Sequence, residues 1–184
     1  KKDRPVRRRH PWIFAGAIER ATNSAPGDVV TVSSSKGELL GRGAFSPSSQ
    51  IRVRMLSFDT APLDPAILIR GAIEQAVARR RKLVLAPGTD CARLVFAESD
   101  GLPGLIVDAY GDTLVMQCQS AFADRFRQAI VAALVEELRP ARVLERSDAE
   151  VRRLEGLPSR VEWHVGSAPE GGLVRAHENG VAFL

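Results

Sequence analysis

From Gln50 to Met55 polar and apolar residues alternate without a break, a period of two that points to a strand. Side chains in a strand point to opposite faces in turn. Ile51, Val53 and Met55 therefore share a face fit for a core, and Gln50, Arg52 and Arg54 share the other. Two guanidiniums two residues apart suit phosphate oxygens, because each planar fork donates in pairs. A half-buried antiparallel strand with a solvated basic face accounts for the same pattern.

The neighbouring stretches read as β structure too. Pro26-Gly-Asp28 marks a turn, Val29-Val-Thr-Val32 a strand, and Glu38 to Phe45 a further extended segment. Gly41 and Gly43 flank Arg42, which signals a bulge or a close backbone approach. Short strands with turns at near-regular spacing predict a small barrel or sandwich. Ahead of them, Pro11 predicts the start of a short helix with Trp12, Ile13, Phe14 and Ile18 as apolar anchors.

Charge separates the chain into two parts. Through Thr60 there are 11 Lys and Arg against 5 Asp and Glu; beyond it there are 15 against 17. The whole positive excess is thus N-terminal, with Arg7, Arg8 and Arg9 consecutive, and it predicts a polyanion partner for that part. Cys91 and Cys118 are too few for a disulfide framework or a zinc site, so reduced thiols and a cytoplasmic location are expected. No apolar run approaches the ~18 residues of a membrane span, so no membrane partner is expected.

Thr60 to Pro65 reads as a joint with Asp64 as N-cap, leading into a helix on Ile69, Ile73, Ala76 and Val77. Arg79-Arg-Arg-Lys82 suits the negative pole of its dipole, and Ala86-Pro-Gly88 stops it. Strands follow at 93–97, 105–109 and 113–119, with Tyr110-Gly-Asp112 as a hairpin turn. A second helix carries Phe122, Phe126, Ile130, Leu134 and Leu138 on one face and ends at Pro140. Further strands are expected from Arg142 to Glu145 and at 162–165, with a hairpin on Asn179-Gly180. The fold class is mixed α/β, of α+β type: residues 1–60 form the β unit, 61–90 a linker helix, and 91–184 an α+β unit.

Chemistry is sparse. No glycine-rich loop follows a strand and opens a helix, and HExxH, CxxC and the nucleophile elbow are all missing. His10, His164 and His177 stand in unrelated contexts. Asp100, Asp108 and Asp112 suggest an acid pair or a metal, but turn aspartates mostly cap backbone N–H groups. The residues predict binding, with no catalytic residue, cofactor contact or metal ligand in this chain.

Five stretches carry a resemblance. They are His10-Pro-Trp-Ile-Phe-Ala-Gly-Ala-Ile18 with Gly27-Asp28, then Gly41 to Arg54, Glu98-Ser-Asp-Gly-Leu-Pro-Gly-Leu105 with Asp108-Ala-Tyr-Gly111, Glu145-Arg-Ser-Asp148, and Arg152-Arg-Leu-Glu-Gly156. In this order they resemble the N-terminal half of bacterial 23S rRNA cytosine-C5 methyltransferases. The resemblance implies an N-terminal PUA domain, which is an RNA-binding pseudo-barrel, and then a strand-strand-helix-strand-strand α+β domain. It also implies a Rossmann methyltransferase domain holding S-adenosylmethionine, expected to be absent from this chain. The parent protein would be the enzyme and this chain alone inactive. The family's thiolate nucleophile is assigned to neither Cys91 nor Cys118. RNA contacts are expected from Arg7, Arg8, Arg9, His10, Trp12, Arg42, Ser46, Gln50, Arg52 and Arg54. The implied partners are ribosomal RNA and the C-terminal methyltransferase domain of the same protein, with a homodimer left open. A non-enzymatic PUA-type interaction module is the alternative. Part of a pseudouridine-forming enzyme is a weaker third reading, since no catalytic aspartate motif is evident.

Overall fold

The computed structural model describes residues 2–21, 23–84 and 87–184, of residues 82–84 the backbone alone. Lys1 of the basic run, Ala86 of the helix stop and the Lys82 side chain lie outside the described residues.

The first unit holds a helix, α1 (Arg4–Arg7), and strands β1 (Trp12–Phe14), β2 (Val29–Ser33), β3 (Leu39–Phe45) and β4 (Ile51–Ser57). The strands form one antiparallel sheet in the order β1-β4-β3-β2. Val53 and Met55 point inward as the alternation predicts and pack with Val6, Ile13 and Phe45. Gly41 (φ 141°) lies against the Ser57 carbonyl at a site with no room for a Cβ, so the glycine signal in β3 marks a close approach.

The short helix expected at Pro11 is not there. Pro11 precedes β1, and its carbonyl accepts the N–H of Met55 at 2.7 Å. Trp12, Ile13 and Phe14 alternate out-in-out, and β4 supplies a partner edge. Pairing with that edge satisfies the backbone donors that a three-residue helix would leave orphaned. The helix lies earlier, with Pro5 in its first turn.

The second unit begins with α2 (Pro65–Val84), and Asp64 Oδ1 accepts the Ala66 N–H at 2.8 Å as its N-cap. Then come β5 (Cys91–Phe96), β6 (Leu105–Tyr110) and β7 (Thr113–Cys118). Next are α3 (Ala121–Arg125), α4 (Arg127–Leu138), β8 (Arg142–Ser147), α5 (Val151–Leu154) and β9 (Arg160–Val165). The five strands lie in sequence order in one mixed sheet, antiparallel except for the parallel pair β7–β8. A hairpin of β10 (Ala176–Glu178) and β11 (Val181–Phe183) turns on Asn179 (φ 52°) and Gly180 (φ 81°), as the Asn-Gly signal predicts.

Two expectations need correction. The helix expected as a linker is one wall of the core: Ile69, Ile73 and Ala76 are fully buried with Val95, Val107, Met116, Ile130 and Leu134. Its apolar stripe is satisfied only against the sheet and α4, so it could not stand alone between units. The layout is also not a strand-strand-helix-strand-strand domain without any Rossmann-type component. Three strands precede the crossover, and β7, the α3–α4 crossover and parallel β8 make a βαβ unit, the element from which Rossmann-like folds are built.

Candidate nucleic-acid interface

The two units meet through a buried charged network. Glu155, which follows α5, accepts from Ser46 Oγ at 2.7 Å, from Arg54 Nη2 at 3.0 Å and from the Ala121 N–H at 3.3 Å. Arg54 Nη1 donates to Glu98 Oε1 at 2.9 Å, and the same oxygen accepts the indole N–H of Trp12 at 2.8 Å. Burial alone would raise the Glu155 carboxyl, but hydrogen bonds from Ser46, Ser49 and Arg54 outweigh it and hold the group below its ordinary value. Arg152, 1% exposed, anchors α5 from the other side by donating to the carbonyls of Cys118 and Pro158 and to Asp124. Around the network, Asp28 pairs with Arg125 at 3.0 Å. Gly27 and Gly156, both at positive φ, let the backbones close on Ala121 and Ser48. The Arg152-Arg-Leu-Glu-Gly156 motif is thus a clasp: Arg152 fastens it to the five-stranded sheet and Glu155 to the first unit.

This clasp redefines several expected RNA contacts. Arg54 is 8% exposed and Ser46 1%, so both face the second unit and not solvent. Alternation placed Arg54 on the right side of β4; the second unit then covers that end of the face. Arg42 is half-buried: it donates to Thr31 Oγ1 across the β2–β3 pair and braces the loop after β4 by donating to the Thr60 and Ala61 carbonyls. Arg7 forks onto Glu38 and also holds Asp3 at 2.8 Å. Those two carboxylates raise the guanidinium's affinity for its proton.

Most of the remaining expected residues lie on the surface. Arg8, Arg9, His10 and Gln50 are exposed, and Arg9 (φ 61°) sets its guanidinium 5.9 Å from the Phe58 ring centroid. His10 Nδ1 accepts the Trp12 N–H at 3.1 Å. Arg52 is half-buried and donates to the Pro47 carbonyl. Trp12 pairs directly across from Arg54 on the outer face of β1, and a register shift after Ile13 sets Phe14 opposite Ile51, which alternation had placed on the inner face with Val53. Trp12, expected both as an apolar anchor of a short helix and as an RNA contact, is 36% exposed, and Phe14 is 49% exposed. The alternation of β1 carried that signal, since Ile13 alone of the three points inward.

Elsewhere the polar residues hold structure. Asp100, 2% exposed at its side chain, binds Arg79 and Arg80 at 2.7 Å each and accepts the Phe96 N–H. The basic end of α2 thus serves an internal carboxylate as well as the helix dipole. Asp108 pairs with Arg93. Cys118 is fully buried, and burial pushes its thiol up, so the side chain is not presented to an incoming substrate as it stands. Glu145, Glu162 and His164 bring one donor atom each within 4.8 Å of one another. Arg160 Nε stands 3.9 Å from Glu145, so a guanidinium already offers the positive charge that a metal would bring.

Residues 1–58 match the model of a PUA-like domain. A ribosomal RNA large subunit methyltransferase I from Aliivibrio fischeri is 43% identical over 182 residues, covering 98% of this chain and 46% of the relative. A protein of the same description from Vibrio cholerae is 40% identical over 181 residues, again across 98% of this chain. Both of these relatives carry the description of a large-subunit ribosomal RNA methyltransferase. The chain spans less than half of their length. Among solved structures, a Streptococcus mutans protein described as a SAM-dependent methyltransferase aligns with 99% of this chain and 45% of its own, at TM-score 0.78 and 18% identity. A second methyltransferase structure, solved with SAH, aligns at TM-score 0.80 and 17% identity. Nearly all of this chain therefore shares the fold of a 45% portion of each of these two structures. Together with the mixed sheet and its parallel β7–β8 pair, this corrects the expectation that the chain has no Rossmann-type component.

Proposed function

We propose that this chain engages RNA within a large-subunit ribosomal RNA methyltransferase of the cytoplasm, one that methylates C5 of a cytosine in 23S rRNA with S-adenosylmethionine as donor. The observation that carries this reading is sequence identity of about 40% across 98% of the chain to ribosomal RNA large subunit methyltransferases. The PUA-like match adds weight, since it coincides with the stretch that holds the positive excess. The remainder of a longer protein would be the intramolecular partner.

In the βαβ unit the place for S-adenosylmethionine would be the turn from β7 into α3. In βαβ folds such groups sit where a strand turns into its helix. Here that turn is filled: the Ala121 N–H goes to Glu155 and the Ala123 N–H to Ser120 Oγ. The β7–α3 turn does not fit the cofactor, and no step is assigned to it. What this chain contributes is grip and placement, with Arg8, Arg9 and Arg52 to phosphates and Gln50 at their edge.

Three phosphate contacts imply that log K falls with log salt at a slope near −2 on single-stranded RNA, taking about 0.7 per phosphate. Filter-binding titrations of 23S rRNA fragments at several salt concentrations measure it. Replacing Arg8 and Arg9 by Ala should flatten the slope by roughly 1.4. A wild-type curve that is already flat would overturn the reading.

A further inference from the structure

We infer that the Trp12–Phe14 face stacks unpaired bases, so that the RNA presented to this chain is single-stranded where it crosses β1. The inference rests on the reading that the chain engages RNA. It starts from the way an exposed aromatic is held. Trp12 and Phe14 are 36% and 49% exposed on the outer face of an edge strand. Scattered apolar residues on a surface are ordinary and call for no explanation. This indole differs, because it is fixed on several sides. Its N–H is tied to Glu98 at 2.8 Å, and the Arg54 guanidinium lies 5.9 Å from its ring. His10 and Phe14 meet it edge-on at 6.0 and 6.5 Å. Glu98 belongs to the other unit and shares the buried clasp. The residue two before it, Phe96, is 46% exposed with the Arg93 guanidinium 5.4 Å from its ring.

An aromatic side chain already pinned has little conformational freedom left to lose, so a base laid against it binds at lower entropic cost. The surroundings match the backbone such a base would bring. Arg52 lies in β4 at the register shift between the Ile13–Val53 and Phe14–Ile51 pairs, and exposed Arg8 and Arg9 lead into β1. The unit as a whole carries the chain's positive excess. Aromatic platforms flanked by cations bind single strands because every base has a π-face and every nucleotide a charge. A duplex hides its base faces in the stack and offers only grooves and phosphates. The composition of this surface therefore fits the single strand, and its assembly from both units explains why the clasp reaches as far as Trp12.

The test uses intrinsic fluorescence. The chain has two tryptophans, and Trp163→Phe leaves Trp12 as the reporter. Single-stranded RNA oligonucleotides should quench its emission, and a duplex of the same sequence should not. Trp12→Ala and Phe14→Ala should each weaken single-strand binding by about 5- to 150-fold, the range for losing one stacked base. Trp12→Phe should retain most of the affinity. Trp12→Ala also removes a bond of the clasp, but Phe14 makes no such bond, so the proposal stands or falls on Phe14→Ala. Unchanged affinity in that variant, or equal quenching by strand and duplex, overturns the stacking. If Arg8→Ala with Arg9→Ala weakens binding to both RNAs while Phe14→Ala does nothing, the stacking fails and the RNA reading survives. Absence of salt-dependent binding to either RNA removes both.

Discussion

Glu155→Ala is the substitution whose cost follows most directly from the structure. The carboxylate is 1% exposed at its side chain and faces an Arg54 side chain that is 10% exposed. Its removal strips the acceptor from Arg54 Nη2, from the Ser46 hydroxyl and from the Ala121 N–H at once. Breaking one side of a buried ion pair costs about 3–5 kcal/mol. Glu98 still holds Nη1 at 2.9 Å, so about 3 kcal/mol is expected here. In a chain of this size that corresponds to a fall in Tm of roughly 6–12 °C. Glu155→Gln keeps the shape and one acceptor and should lose less, about 1–2 kcal/mol. The pH dependence gives a second reading of the same site. The folded carboxyl lies below its unfolded value, so its contribution is present above that value, near 4.3, and is lost as pH falls through the folded one. Wild type should lose stability on acidification below about pH 4.5 more steeply than Glu155→Gln. Thermal melts followed by circular dichroism from pH 3 to 7 measure both effects. A Tm change of less than about 2 °C for Glu155→Ala, or matching acid limbs for wild type and Glu155→Gln, would refute the clasp as an energetic element.

Two further outcomes follow from the same geometry. Gly27 has φ 81°, and a Cβ there would overlap the Ala121 carbonyl oxygen and stand 2.8 Å from Arg125 Cβ. Gly27→Ala should therefore destabilise by about 1–3 kcal/mol and loosen the contact between units, read as increased protease sensitivity at residues 23–28. Cys118 is fully buried with its thiol pushed up by burial, and Cys91 is half-buried, so a thiol reagent in native buffer should label Cys91 first. Cys118 should react only on unfolding; equal labelling rates at the two thiols would contradict its packing.

Much of the fold was legible in the chain because local pattern carried it. The alternation through β4 placed Val53 and Met55 inward, and Asn179-Gly180 marked a hairpin that formed where expected. Asp64 capped α2 as read. The failures share a cause. Pro11 suggested a helix because its neighbours were read for propensity alone, and the partner edge that turns Trp12–Phe14 into a strand lies about forty residues away in β4. The linker reading of α2 failed because a helix stripe says that something will be buried, not against what. The candidate interface was least legible. Arginine on a strand face looks the same whether it meets phosphate or a carboxylate of the same chain.

Burial of alternate side chains, turn chemistry and charge distribution are properties of neighbours in the chain, so the sequence by itself determined the strands, their inward faces and the N-terminal positive excess. Pairing across distance is not local. The carboxylates that claim Arg54 lie 44 and 101 residues away, and only the docking of the two units decided that Arg54 is structural while Arg8 and Arg9 stay exposed. The same docking, through Glu98, fixed an exposed Trp12 in place.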